Sequence, residues 1–193
     1  MRILALNPYG AGSHRAFFAG WRDRSRHDWT LVELPGWNWK WRMRHAAVEL
    51  ADRVGAMVES GGDGWDVVVC TGMMNAAEWR GLAPEGVGSL PLVVYFHENQ
   101  AAYPVDASRG PDPRDIHFVL TNMVSAIASD ESWFNSVHNL ETLLDGLGAS
   151  LRAVPGVDAR EACARIEAQA RGEAPGGDDG RFDAARGAGA RGR

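Results

Sequence analysis

Two stretches of this sequence, "WDVVVCTG" (65–72) and "LPLVVYF" (90–96), carry unbroken apolar runs where a half-solvated strand would alternate. A strand whose every side chain is apolar must be buried on both faces, the signature of a parallel sheet with helices on either side. The segments between the strands fit that demand. "RILAL" (2–6) runs through a Gly-rich turn into a helical pattern with Phe17, Phe18 and Trp21. "WTLVEL" (29–34) precedes "HAAVELADRVGAMVE" (45–59), whose apolar residues recur at helical spacing. "IHFVLTNMVSAIA" (116–128) reads as a helix, "SWFNS" (132–136) as a short strand, and "NLETLLDGLG" (139–148) as a helix closed by glycine. Strand–helix alternation with right-handed crossovers gives an α/β, Rossmann-like three-layer domain.

The chain has 193 residues, enough for one full domain. Residues 1–156 are expected to form it. From about residue 157 the composition turns to Ala, Gly, Arg and Asp, so 157–193 is expected to be a low-complexity, mostly disordered tail, with a surface helix over "REACARIEAQA". No run is long enough to span a bilayer, and the start lacks the apolar core of a signal peptide, which points to the cytoplasm. Cys70 and Cys163 are expected to be reduced thiols. A net charge of −5 excludes a molecule that attracts nucleic acid with its whole surface, but leaves room for a local basic patch.

In a sheet of this kind ligands bind beyond the carboxyl ends of the strands. "YGAGSH", "CTGMMN", "HENQ" and "FNSVHN" all fall there. In the first, Gly10 and Gly12 permit close backbone approach, and Ser13 and His14 open a helix. The turn lacks the third glycine of a dinucleotide fingerprint and the Gly-Lys-Ser/Thr of a P-loop, so it suits a phosphate or sugar, or simply joins strand to helix. "FHENQ" ends a buried strand with four polar side chains. His97 and Glu98 suit acid–base or hydroxyl-orienting work, and Asn99 and Gln100 can hold hydroxyls. Asn135 and Ser136 repeat the device on the next strand, where capping alone would also explain the serine. The histidines show no zinc spacing, so no metal is expected.

The stretch "GWNWKWRMR" (36–44) interleaves Trp37, Trp39 and Trp41 with Lys40, Arg42 and Arg44. If extended, the three indoles would share one face, and aromatic surface beside cations suits an RNA base or a sugar. Spacing by itself favours the plainer alternative, in which the indoles anchor a loop on the core and the cations are solvated.

Taken in order, "GAGSH", "LPGWNWKWRMR", "YFHENQAAYP" and "FNSVHNLETLL" resemble the amino-terminal domain of the tRNA-queuosine mannosyltransferase family, over about residues 1 to 156. The resemblance implies the amino-terminal, acceptor-side half of a GT-B glycosyltransferase similar to the retaining family four. It implies GDP-mannose as donor substrate, no cofactor, and queuosine in the anticodon of tRNA-Asp as acceptor. It carries a donor-diphosphate role to Gly10, Gly12, Ser13 and His14, and a place at the reaction centre to His97 and Glu98. Trp37, Trp39, Lys40, Trp41, Arg42 and Arg44 match the family's aromatic-basic loop, for which the chemistry suggests tRNA contact. The pair of glutamates eight positions apart that marks the family-four second domain is absent here. "APGGDDGRFD" (174–183) only faintly echoes the entry to such a domain. The expectation is a truncated or frame-shifted product lacking the second domain, inactive alone or completed by a partner. The alternatives are a non-catalytic tRNA- or carbohydrate-binding half-domain, or a glycosyltransferase with another acceptor.

Overall fold

The computed structural model describes residues 1–102, 116–151 and 158–172. Among the described residues five strands and six helices follow one another, alternating until the last two helices, which are consecutive. They are β1 (Arg2–Gly10), α1 (Gly12–Arg24), β2 (Asp28–Pro35), α2 (Trp39–Glu59), β3 (Val67–Thr71), α3 (Ala76–Leu82), β4 (Leu92–Phe96), α4 (Ile116–Ala128), β5 (Glu131–Phe134), α5 (Val137–Leu151) and α6 (Ala159–Arg171). All strand pairs are parallel, in the order β2-β1-β3-β4-β5. The Rossmann-like α/β class expected from the unbroken apolar runs is therefore the observed one.

Pleat parity sorts the strand residues into two cores. Leu4, Leu6, Val68, Cys70, Leu92, Val94 and Phe96 point to one face, where they meet Leu50 and Val54 of α2, Trp79 of α3, Ala126 of α4, Leu143 and Leu147 of α5, and Ile166 of α6. Ile3, Ala5, Val67, Val69 and Val93 point to the other, under Phe17, Phe18 and Trp21 of α1. Every residue of β3 is buried, which explains why its sequence has no alternation.

Three features depart from the expectations. Helix α3, only seven residues long, is too short to show a period in the sequence; Asn75 opens it by accepting hydrogen bonds from Ala77 and Glu78. Helix α2 begins at Trp39 instead of at residue 45, so Trp39, Lys40, Trp41, Arg42 and Arg44 follow helical geometry and the extended, alternating face does not form. Beyond residue 156, α6 is capped by Asp158 and packs with the body of the domain: Ile166 is fully buried, and the buried Gln169 donates to the backbone carbonyl of Ser129. The expected tail from residue 173 onward lies outside the described residues, as do Tyr103 and Pro104 of the "HENQAAYP" run.

Candidate functional site

Strand β1 runs on to Gly10, while β3 turns away at Gly72, where a Cβ would lie 2.6 Å from the ring of Phe96. The short β3 lets the end of β1 and the start of α1 lean across to the end of β4. There His14 Nε2 lies 3.3 Å from Glu98 Oε1, and the His14 and His97 rings meet edge to face at 4.3 Å between centroids. An open cleft of about 550 Å³ lies over these strand ends. Gly12, Ser13 and His14 line one side, His97, Glu98 and Asn99 the floor, and Asn135 and Ser136 the other side.

The electrostatics of the three central groups are set by burial and by each other. A carboxylate oxygen can only accept, so the bond from His14 places a proton on Nε2 of that ring. His14 is buried, and its Nδ1 has no partner. Glu98 is held below the usual carboxylate range, first by the hydrogen bond from His14 and, against the opposing cost of burial, by the histidines beside it. His97 is pushed down to about 4, first by burial and then by His14, with Glu98 pulling the other way. At neutral pH the cleft floor therefore holds a neutral imidazole next to an ionised carboxylate. Phe17 and Tyr95 pack against the His97 ring at 5.0 and 4.7 Å, and its Nε2 is buried without a partner.

A lattice of amides fixes this floor. Asn139 donates to the carbonyl of Phe96 and to Asn135 Oδ1, while Asn135 donates to the carbonyl of His97 at 2.6 Å. Asn99 donates to the carbonyl and side-chain oxygens of Asn139 and to Thr142 Oγ1, and accepts from the backbone of Ala102. Ser136 accepts from the Asn139 N–H at the start of α5. Asn122 reaches from α4 to take the Gln100 N–H and to donate to the Gly72 carbonyl. The lattice sets the backbone direction on both sides of His97 and Glu98.

The sequence-derived residues divide accordingly. Gly12, Ser13, His14, His97, Glu98, Asn99, Asn135 and Ser136 meet at the cleft. Gly12 has a φ of +51° and open space where a Cβ would stand. Asn99 is buried with both ends of its amide engaged, which makes it a brace. Gly10 and Gln100 lie outside the lining: the space a Cβ would take at Gly10 is filled by Glu33, which accepts from Asn7 and Arg15. Ala11 and Ala102 complete the lining together with four polar residues not singled out from the sequence, Tyr9, His138, Asn139 and Thr142. The last two lie four and seven positions beyond Asn135, a helical spacing that places them on one face of α5.

The aromatic-basic stretch lies at the start of α2. Trp37 and Trp41 are 64% and 56% exposed. Arg42 turns inward: only 7% exposed, it donates to the Pro35 carbonyl and to Glu49 Oε2 at 2.8 Å. Its guanidinium ties β2 to α2. Among the described residues no group of His, Cys, Asp and Glu could hold a metal ion, and no helix is long and apolar enough to cross a membrane.

A five-stranded parallel sheet covered by helices, with an open polar cleft over its strand ends, defines a Rossmann-like α/β domain. A protein-family model described as tRNA-queuosine alpha-mannosyltransferase N-terminal matches residues 2–173. The tRNA-queuosine alpha-mannosyltransferase of Drosophila melanogaster is 30% identical over 154 residues, covering 79% of this chain and 38% of the fly protein. No solved structure matches. The chain belongs to the tRNA-queuosine alpha-mannosyltransferase N-terminal family, and it spans well under half the length of that relative.

Proposed function

We propose that this domain forms the acceptor-side half of a GT-B cleft in which mannose passes from GDP-mannose to queuosine in the anticodon of tRNA-Asp. The observation that carries this reading is the pairing of a neutral His97 with an ionised Glu98 on the floor of an open strand-end cleft. Sugar hydroxyls both donate and accept. A neutral imidazole and a carboxylate side by side can serve both needs without presenting a net cation to the sugar.

In this reading His97 hydrogen-bonds the mannosyl unit or the acceptor diol, and Glu98, its charge secured by His14, accepts from a neighbouring hydroxyl. Asn135 and Ser136 hold the acceptor from the opposite side. Gly12 and Ser13, at the start of α1, face the anionic diphosphate of the donor, since helix-start N–H groups favour negative charge. The bond from the sugar to the diphosphate breaks, a glycosidic bond to the queuosine hydroxyl forms, and the hydroxyl proton leaves with the departing phosphate oxygen. The contribution of these residues is orientation of the two reactants.

The test is transfer of label from GDP-[14C]mannose to queuosine-containing tRNA-Asp. It compares the chain alone with the chain joined to the carboxyl-terminal portion of the fly relative. Label with the joined protein alone supports a half-cleft that needs a donor-side partner. Label with neither, while tRNA still binds, would replace this reading with a non-catalytic binding domain or a different acceptor.

A further inference from the structure

Residues 35–48 contain no Asp or Glu in a chain whose net charge is −5. Within that acid-free stretch the fold separates the cations by role. Arg42 is spent internally on Glu49 and Pro35. Arg44 is exposed, makes no ion pair among the described residues, and lies 5.6 Å from the Phe118 ring centroid. Lys40 sits over the same ring at 5.8 Å. Trp37 and Trp41, more than half exposed, lie on either side of Lys40 in sequence, and the Trp41 ring packs 5.3 Å from that of His45.

Exposed indoles offer flat faces on which unpaired bases stack. Here they do not merge into a broad apolar face. They share the head of α2 with Lys40 and Arg44, a mixture that disfavours a purely apolar partner and suits a chain of flat rings joined by phosphates.

The patch is also connected to the cleft. Tyr9, in the cleft lining, has its ring 5.8 Å from that of His14. On its other side Tyr9 packs with Trp39 against the small cluster of Met43, Met73 and Phe118, whose ring lies beneath Lys40 and Arg44. One satellite core thus supports both the cleft rim and the aromatic-basic head of α2.

We propose that the head of α2 is a docking surface for the single-stranded loop of an RNA hairpin. Trp37 and Trp41 stack on unpaired bases, Arg44 meets the backbone phosphates, and the track leads past Tyr9 into the cleft. The inference rests on the proposed acceptor for its choice of RNA. It adds which side chains hold the loop and removes Arg42 from that set.

The test measures binding of the full chain to a fluorescently labelled RNA hairpin without queuosine, and to a blunt RNA duplex of equal length, over a range of salt. The hairpin is expected to bind more tightly than the duplex. Trp37→Ala and Trp41→Ala are each expected to weaken hairpin binding about 5- to 100-fold, the range for loss of one base stack. Arg44→Gln should lower the slope of log K against log salt by roughly 0.7 to 0.9, one phosphate contact. Arg42→Met should leave the slope unchanged. Both indoles are exposed, so an unchanged melting temperature is expected and verifies folding.

Equal affinity for duplex and hairpin, or full affinity in the Trp37→Ala, Trp41→Ala double variant, would overturn the proposal. So would a dimer in sedimentation that dissociates on Trp41→Ala, since the patch would then be a contact between copies. The outcome is separable from the catalytic reading. Hairpin binding through these indoles stands even if no mannose is transferred, and transfer at unchanged KM in the double variant would defeat this inference alone.

Discussion

His14 and Glu98, eighty-four positions apart, meet through an imidazole N–H and a carboxylate oxygen at 3.3 Å. This contact joins the first helix to the end of the fourth strand and fixes the charge of the cleft floor. In a joined, active protein Glu98→Gln is expected to lower kcat by about 10- to 1000-fold, the range for loss of an orienting or charge-stabilising contact. Urea denaturation should show a stability loss of about 1 kcal/mol, the difference between a charged and a neutral hydrogen bond, since the amide oxygen still accepts from His14. Equal transfer rates for the native protein and the Glu98→Gln variant would take the carboxylate out of the site.

The depressed His97 makes stability depend on pH. Its unfolded-state value is 6.5 and its folded value about 4, so between these limits the unfolded chain binds more protons. Its contribution is present above about pH 6.5 and shrinks as pH falls toward 4. Because the ring is partly open to solvent, the full effect should stay below about 2 kcal/mol. Urea midpoints for the native chain and for His97→Asn, measured from pH 7 to 5, check this. The variant is expected to lose the slope, and parallel curves would contradict it.

Asn139 was absent from the sequence-derived site, yet it supports both strand ends. Asn139→Ala removes three side-chain bonds, to the Phe96 carbonyl, to Asn135 Oδ1 and from Asn99, while the Phe96 carbonyl keeps the Asn135 N–H and Asn99 keeps the Asn139 carbonyl and Thr142. A loss of roughly 2 to 3 kcal/mol in chemical denaturation is expected. A loss under about 0.5 kcal/mol would mean that the amide lattice does not hold the floor.

Arg42 and Arg44 look interchangeable in the sequence and differ in the fold. Arg42→Ala breaks a pair in which its own side chain is 8% and that of Glu49 32% exposed, and is expected to destabilise by about 2 kcal/mol. Glu49 is held below its ordinary range by Arg53 and Arg42 despite the opposing effect of burial, so the loss should diminish as pH falls and Glu49 protonates. Arg44→Ala is expected to change melting temperature little.

Helix α6 tests how far the domain extends. Ile166→Ala empties a fully buried position in the main core and should cost roughly 2 to 5 kcal/mol. A chain ending at residue 156 should melt lower still. Unchanged melting in both would return α6 to the surface role that composition suggested.

The layout of the sheet was legible because β3 and β4 are buried on both faces, and double burial writes itself into sequence as an unbroken apolar run. The strand-end cleft was legible for a related reason: His97 and Glu98 interrupt such a run where a turn would need Gly, Asn or Pro. The helical state of Trp39 to Arg44 was obscured because alternating Trp and cation imitates a strand. Only the fold reveals that Arg42 points inward. Asn139 and Thr142 belong to the site through their contact with Asn99, which lies forty positions away from Asn139 and leaves no local pattern. The α6 boundary was misjudged for a different reason: an Ala-, Arg- and Glu-rich helix buries only a narrow stripe, here Ile166 and Gln169.

The most direct test of the cleft assignment follows the ring proton and carbon signals of His97 and His14 by NMR while queuosine nucleoside, then GDP-mannose, is added to the chain. Saturable shifts are expected at both rings, lost in Asn135→Ala, with the exposed His117 unmoved. Saturable binding that leaves both rings unmoved would show that the sugar lies elsewhere, and the cleft would lose its assigned role.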